Sequence, residues 1–321
     1  MNVKSLLLIC FTFFSGLCIA AENPVIRLGT MASGTLAWEL AAMKNAGLLD
    51  NSGFSLETVT LANQQAGKVA LQAGSVDIIL SDWIWVSSMR SEGADYTFYP
   101  YSNSSGGLLV PADSTIKTLA DLSGKKLGVA GGELDKNWLL LQALGRRQNL
   151  DLNKTVEKIY GAPPLLNQEF SEKRIDAVLT YWQFAAKLEA QGYRQLLSGE
   201  EIIRQLGIKE SVPSLGYVFN TKWASRNKTT LKAFLQTAKL AKDKLCSDDA
   251  DWQKIAALTK AEDAAGQQVL RAHYCQGRVA EWTDANRKAA AAIYEQLHQL
   301  GNNKLTDKSS HLQTGTFWTD N

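Results

Sequence analysis

The chain has 321 residues, 45% hydrophobic and 21% charged, with a formal net charge of +2. That length and composition fit one large or two medium globular domains, and the near-neutral charge gives no electrostatic case for nucleic acid or an anionic membrane surface as partner. Nine Trp are many for this length, and each ring needs a packing or stacking role.

The first residues read as a targeting segment. Lys4 supplies a positive start, Ser5 to Ile19 is a nearly uninterrupted apolar run, and Cys18-Ile19-Ala20 or Ile19-Ala20-Ala21 offers small residues for cleavage. The run is too short and wrongly flanked to span a membrane. Bulky Leu17 ahead of Cys18 argues against a lipid anchor. The expectation is a cleaved signal peptide over 1–21 and an exported, periplasmic mature chain. Cys10 and Cys18 leave with it, so Cys246 and Cys275 remain as an even pair in an oxidising compartment, where a disulfide is expected; two buried free thiols are the alternative.

Val25 to Gly29 predicts a first strand, and the polar loop Thr30 to Thr35 leads into a helix reaching about Asn45, with Leu36, Leu40 and Met43 at helical spacing. Gly47 ends it. Phe54 to Val59 alternates as a strand, and Gln64 to Gln72 predicts a second helix. The order is βαβαβ, which implies a parallel sheet with helices on its faces. Phe98 to Val110 contains a Gly/Ser-rich piece suited to a crossing between lobes. A second unit follows, with strands at Leu127–Ala130, Val156–Tyr160 and Ile175–Leu179 and helices from Asp135 to Arg147 and Leu165 to Ser171. Ser214 to Phe219 reads as a strand returning to the first lobe. Beyond it the chain is mainly helical, with helices over Thr230–Leu245 and Asn286–Leu300, a Gly301 stop and a polar, loosely wrapping tail from Asn302.

One pattern occurs twice. Gly74-Ser75-Val76-Asp77-Ile78-Ile79-Leu80-Ser81-Asp82-Trp83-Ile84-Trp85 places an Asp before three apolar strand residues and an aromatic tip after them. Lys173-Arg174-Ile175-Asp176-Ala177-Val178-Leu179-Thr180-Tyr181-Trp182 does the same in the second unit. Two such units predict two similar lobes, each offering a tip to a shared cleft: 22–107 with 213–321, and 108–212. Asp77 and Asp176 are read as turn formers.

Lys44-Asn45-Ala46-Gly47-Leu48-Leu49, Ala70-Leu71-Gln72-Ala73-Gly74-Ser75-Val76-Asp77 and Leu119-Ala120-Asp121-Leu122-Ser123-Gly124-Lys125-Lys126-Leu127-Gly128-Val129 together resemble one family. It is the periplasmic solute-binding proteins of nitrate/sulfonate/taurine-type ABC importers, which include pyrimidine-precursor binders. The resemblance covers roughly 25–300. It implies a type II periplasmic-binding-protein fold, two α/β lobes hinged around a ligand, a monomer that hands its ligand to the transmembrane permease subunits, no cofactor and no chemistry.

Ligands of open α/β sheets sit outside the carboxyl ends of strands. The candidate ligand residues are therefore Ser33, Gly34 and Thr35; Ser81, Asp82 and Trp83; Gly132, Glu133 and Trp138; Tyr181 and Trp182; and Ser104 and Ser105 at the crossing. Many relatives bind anions on helix N-termini. Here Asp82, Glu133 and Asp135 with Trp83, Trp85, Trp138, Tyr181 and Trp182 favour a cationic or amino-heterocyclic solute through charge pairing and cation–π contact. A sulfonate or nitrate, a hard metal ion, or a carboxylate-based enzyme with Asp82 and Glu133 as acid and base remain alternatives. Asp82, Glu133 and Asp135 also fit plain helix-start roles, and either of Trp83 and Trp85 can belong to the core. Gly131-Gly132 lacks the Gly-Lys-Ser/Thr of a phosphate loop, and His273, His298 and His311 fall outside the expected cleft.

Overall fold

Strand β1 (Val25–Met31), helix α1 (Thr35–Asn45), β2 (Ser55–Leu61), α2 (Gln64–Gln72), β3 (Ile78–Ser81), α3 (Trp83–Ser91) and β4 (Tyr96–Ser102) form a first run. The computed structural model describes residues 23–32, 34–261, 263–301, 305–306 and 309–319, so the expected signal peptide with Cys10 and Cys18, and the candidate Ser33, lie outside the described residues. After a crossing come β5 (Gly107–Val110), β6 (Lys126–Ala130), α4 (Lys136–Arg147), α5 (Leu152–Thr155), β7 (Glu157–Gly161), α6 (Pro163–Ser171), β8 (Ala177–Thr180), α7 (Trp182–Ala190), β9 (Arg194–Ser198) and α8 (Gly199–Gln205). Then β10 (Leu215–Asn220) returns, followed by α9 (Thr221–Arg226), α10 (Lys228–Ser247), α11 (Asp249–Thr259), α12 (Ala264–Gln276) and α13 (Asp284–Leu300).

The strands make two five-stranded mixed sheets, ordered β2-β1-β3-β10-β4 and β7-β6-β8-β5-β9. In each, four strands share one direction and the fourth in order, β10 or β5, runs antiparallel to both its neighbours. The repeat has a common structural cause. Asp77 accepts hydrogen bonds from the Arg27 backbone N–H at 2.8 Å and pairs with its guanidinium. Asp176 accepts from the Lys126 backbone N–H, also at 2.8 Å, and both pairs are 50 residues apart. Each Asp thus locks the start of a third strand to the first parallel strand of its sheet. A register slip would break that bond and turn the apolar strand outward.

Register also aligns the strand ends. Ser81 pairs with Gly216 and Leu215 with Ser102, while Gly107 pairs with Thr180 on one side and Ser198 on the other. The carboxyl ends of both sheets therefore border the crossings at 103–106 and 206–214. Gly106 is required there. A Cβ on it would stand 2.2 Å from the Thr180 carbonyl oxygen, so only glycine lets the crossing pass over the end of β8.

Two findings depart from the sequence reading. Helix α13 does not stay with the first lobe: it packs on α4, and its Tyr294 ring lies 6.4 Å from Trp83. The C-terminal segment therefore straddles both lobes. The tail is also less loose than its composition implies. Phe317 forms a parallel bridge with Phe98, and the Phe98 N–H donates to Thr316 O at 2.8 Å, covering the free edge of β4. The Cys246–Cys275 disulfide is formed and ties the end of α10 to α12. Among the described residues no helix is long and apolar enough to cross a membrane.

Candidate functional site

Of the helices that follow strands, α1, α3, α4 and α7 begin differently. Asp82 caps α3 by accepting from the Trp85 N–H at 2.9 Å. Asp135 caps α4 by accepting from the Asn137 and Trp138 N–H groups at 2.9 and 3.2 Å. Helices α1 and α7 have no side-chain cap: their N-cap residues are Gly34 and Tyr181. Gly34 sits at φ 111°, a backbone conformation that glycine alone adopts readily. An uncapped start leaves unpaired backbone N–H groups and the positive end of the helix dipole facing outward. One of these two starts belongs to each lobe; α6 also lacks a side-chain cap, but Pro163 and Pro164 remove two of its first N–H groups.

The lobes also touch. Trp38 of α1 and Trp182 of α7 meet edge to face with centroids 6.2 Å apart. His273 Nε2 of α12 lies 3.0 Å from Glu189 Oε2 of α7, and Lys187 donates to the Lys260 carbonyl at 3.0 Å. On the other face, Lys136 of α4 donates to Ser214 O of the return crossing at 3.1 Å. Against the crossings lies a cavity of about 600 Å³, lined by Ser104, Ser105, Trp182, Gln195, Glu200, His273, Arg278 and Glu281 among others.

The aromatic and acidic candidates do not assemble into a cation cage. Trp138 is fully buried in the core. Trp83 is 3% exposed and donates its indole N–H to Pro213 O at 2.9 Å. Both leave the ligand set, because α3 starts at Trp83 and turns that ring inward onto α13, whereas an extended tip would have projected it. Trp85 stacks on Tyr96 with Lys68 5.1 Å above its ring, so the cation–π contact there is internal. Asp82 is occupied by its cap and by Lys68 at 3.9 Å. Ser81 is buried, and Glu133 is exposed on the loop with Gly132. Gly34, Thr35, Tyr181 and Trp182 do stand at the bare helix starts, and Ser104, Ser105 and Trp182 line the cavity.

Asp135 is electrostatically distinctive. Burial pushes its carboxyl up to about 6, against the opposing pull of the Trp138 N–H, the Lys136 charge and the Asn137 N–H. A Cβ on Gly131 would meet both Tyr181 Oη, at 2.5 Å, and Asp135 Oδ2, at 2.9 Å, so these groups converge at the start of α4. Burial and then the Asp135 charge raise the Tyr181 phenol as well.

The sequence reading missed Glu39, which is fully buried on α1 with Tyr101, Tyr274 and Lys242 around it. The available signal was a single acid on the otherwise apolar face of Leu36, Trp38, Ala42 and Met43. It also missed Gln195, Glu200, Arg278 and Glu281 in the cavity wall, residues scattered along the chain without a motif. Among the described residues no group of three or more His, Cys, Asp or Glu converges as a metal site.

A family model described as NMT1/THI5 like matches residues 44–248. Among solved structures, the alkanesulfonate-binding protein SsuA from Xanthomonas axonopodis pv. citri bound to MOPS superposes with a TM-score of 0.69 at 20% identity, over 93% of this chain and 99% of that one. The periplasmic aliphatic sulphonate binding protein SsuA from Escherichia coli gives 0.68 at 22% identity, over 94% and 95%. A DszB mutant in complex with biphenyl-2-sulfinic acid gives 0.55 at 18%, over 88% and 93%. At these identities the likeness establishes the two-lobed fold. No curated protein sequence matches the chain.

Proposed function

The chain belongs to the NMT1/THI5-like family, and from that premise we propose that it is the periplasmic solute-binding component of an ABC importer. On this reading its solute is a small organic anion of the sulfonate type. The protein closes around that anion between its lobes and releases it unchanged to the permease. The observation that carries the anion is the pair of uncapped helix starts, α1 in one lobe and α7 in the other, next to two helices whose starts are filled by Asp82 and Asp135. Bare N-termini offer backbone N–H donors and partial positive charge, which suit an anion and repel a cation.

The cationic solute favoured by composition loses its support for a physical reason. Two of its three carboxylates, Asp82 and Asp135, are engaged as caps, Glu133 stands exposed on a loop, and two of its rings are in the core. Names of structural neighbours agree with the anion: two SsuA proteins described as sulfonate-binding, one of them holding MOPS, and a DszB holding a sulfinic acid. Contacts between α7 and α12 and between α4 and the return crossing are the surfaces that closure would make and opening would break.

A thermal-shift panel of alkanesulfonates, nitrate, amines and amino-heterocycles tests the reading. A sulfonate at about a hundred times its Kd should add about 2.7 kcal/mol, which is a rise of about 4 °C for a chain of this size. Stabilisation by amines alone would overturn the anion, and product formation from any of them would overturn the binding role.

A further inference from the structure

The lobes meet along one face of α7. Trp182, Ala186 and Glu189 recur at the spacing of successive helical turns, and each reaches the first lobe. Trp182 meets Trp38 edge to face, and Ala186 is fully buried in the core that contains Ile26, Leu28 and Phe219. At the far end Glu189 Oε2 lies 3.0 Å from Nε2 of His273 on α12. Glu189 is held ready from its own side. In the amide orientation that satisfies both ends, Gln195 of β9 donates to Glu189 Oε1 at 2.6 Å and accepts from the Ser198 N–H at 3.2 Å. One carboxylate oxygen is thus fixed within the second lobe, and the other is presented to the first.

A carboxylate only accepts, so His273 must turn a hydrogen-bearing Nε2 towards it whether the ring is neutral or charged. Protonation then falls on Nδ1 and needs no heavy atom to move. It converts a neutral hydrogen bond into a charge-assisted one, roughly twice as strong. Glu189 is 22% and His273 30% exposed, so the contact is shielded from salt yet open to protons. Other charges face the ring from every side. Lys187 of α7 donates to the Lys260 carbonyl, and Arg271 of α12 is turned to Asp249. Glu200, Arg278 and Glu281 line the same cavity as His273, with Arg278 paired to Asp243 at 2.7 Å. With the two arginines neutralised, Glu200 and Glu281 stand against Lys187, and nothing outweighs the pull of Glu189.

We propose that Glu189 and His273 form a latch between the lobes that tightens when the ring takes a proton, so that mild acid favours the closed form and rising pH loosens it. This rests on the reading that the lobes close around solute, and adds what regulates that closure. In the open form the ring faces water, and in the closed form it faces a carboxylate at 3.0 Å. The closed form therefore holds the proton more tightly, closure takes a proton up, and raising the pH opposes it. Histidine suits such a role because its charge changes between pH 5 and 8.

Nitroxides at Val69→Cys on α2 and Leu165→Cys on α6, two exposed positions in different lobes, report the distance between lobes by electron–electron resonance without solute. The closed-to-open ratio should be about fivefold higher at pH 5.5 than at pH 8. His273→Gln keeps an N–H donor and loses the titration, so it should match the parent at pH 8 and lose most of the gain at pH 5.5. Glu189→Gln should lose that gain as well. A ratio that does not respond to pH would overturn the latch. So would a response that survives in His273→Gln, since another group such as Asp135 would then carry it. Adding a short alkanesulfonate at pH 8 tests the underlying reading separately. Distances that fail to shorten would overturn closure around that solute, whatever the pH comparison gives.

Discussion

Asp135→Asn separates the two things Asp135 does. Its carboxyl titrates at about 6 in the folded chain, against an ordinary 3.8. Between those values the unfolded chain has lost its proton and the folded chain has kept it, so stability falls as pH rises through that window. The shift corresponds to a destabilisation of about 3 kcal/mol, complete above pH ~7 and absent below pH ~4. Asn caps a helix about as well as Asp, so the bonds to the Asn137 and Trp138 N–H groups survive the change. Losing the charge at the helix start costs about 0.3–1 kcal/mol. The net expectation at pH 8 is a variant about 2 kcal/mol more stable than wild type, and at pH 4 one nearly equal to it. Chemical unfolding at the two pH values measures both. A variant less stable than wild type at pH 8, or an identical difference at pH 4, would refute burial as the cause of the shift.

The same carboxyl gives binding a pH dependence with a definite sign. An anion bound near the start of α4 raises the Asp135 pKa further, so binding takes up a proton and sulfonate affinity should drop as pH rises from 5 to 7. Affinity that climbs over that interval would contradict this placement of the anion. Replacing Cys246 and Cys275 together with Ser opens a loop closed across a separation of 29 residues, and the chain-entropy model puts the loss at about 3–4 kcal/mol; an unchanged unfolding midpoint would contradict it. Trp138→Ala should cost about 3–5 kcal/mol as a core truncation. Trp182→Ala should cost much less stability and should weaken solute binding, since that ring is half-buried against Trp38 between the lobes. Equal stability losses in calorimetry would show Trp182 to be a core residue.

The frame was legible in the sequence because it is written locally. Asp77 and Asp176 precede their apolar strands at equivalent points of two units, and that repeat is the pair of register locks seen in the two sheets. The disulfide followed from counting the Cys residues outside the expected signal segment. The site was less legible because its assembly is not local. Trp83 looked like a cleft residue until Tyr294 and Pro213, far along the chain, closed over it. Asp82 and Asp135 looked like ligand carboxylates, and a cap uses the same residue at the same position. The Glu39 cluster needs Tyr101, Lys242 and Tyr274 from three separate elements. No window along the sequence contains them.

The claim that matters most is that a sulfonate-type anion is captured between the lobes. Calorimetric titration of the purified mature chain with a short alkanesulfonate, and in parallel with an amine of equal length, measures it directly. The account predicts saturable binding of one sulfonate per chain and no heat from the amine. Saturable binding of the amine with none of the sulfonate would contradict it.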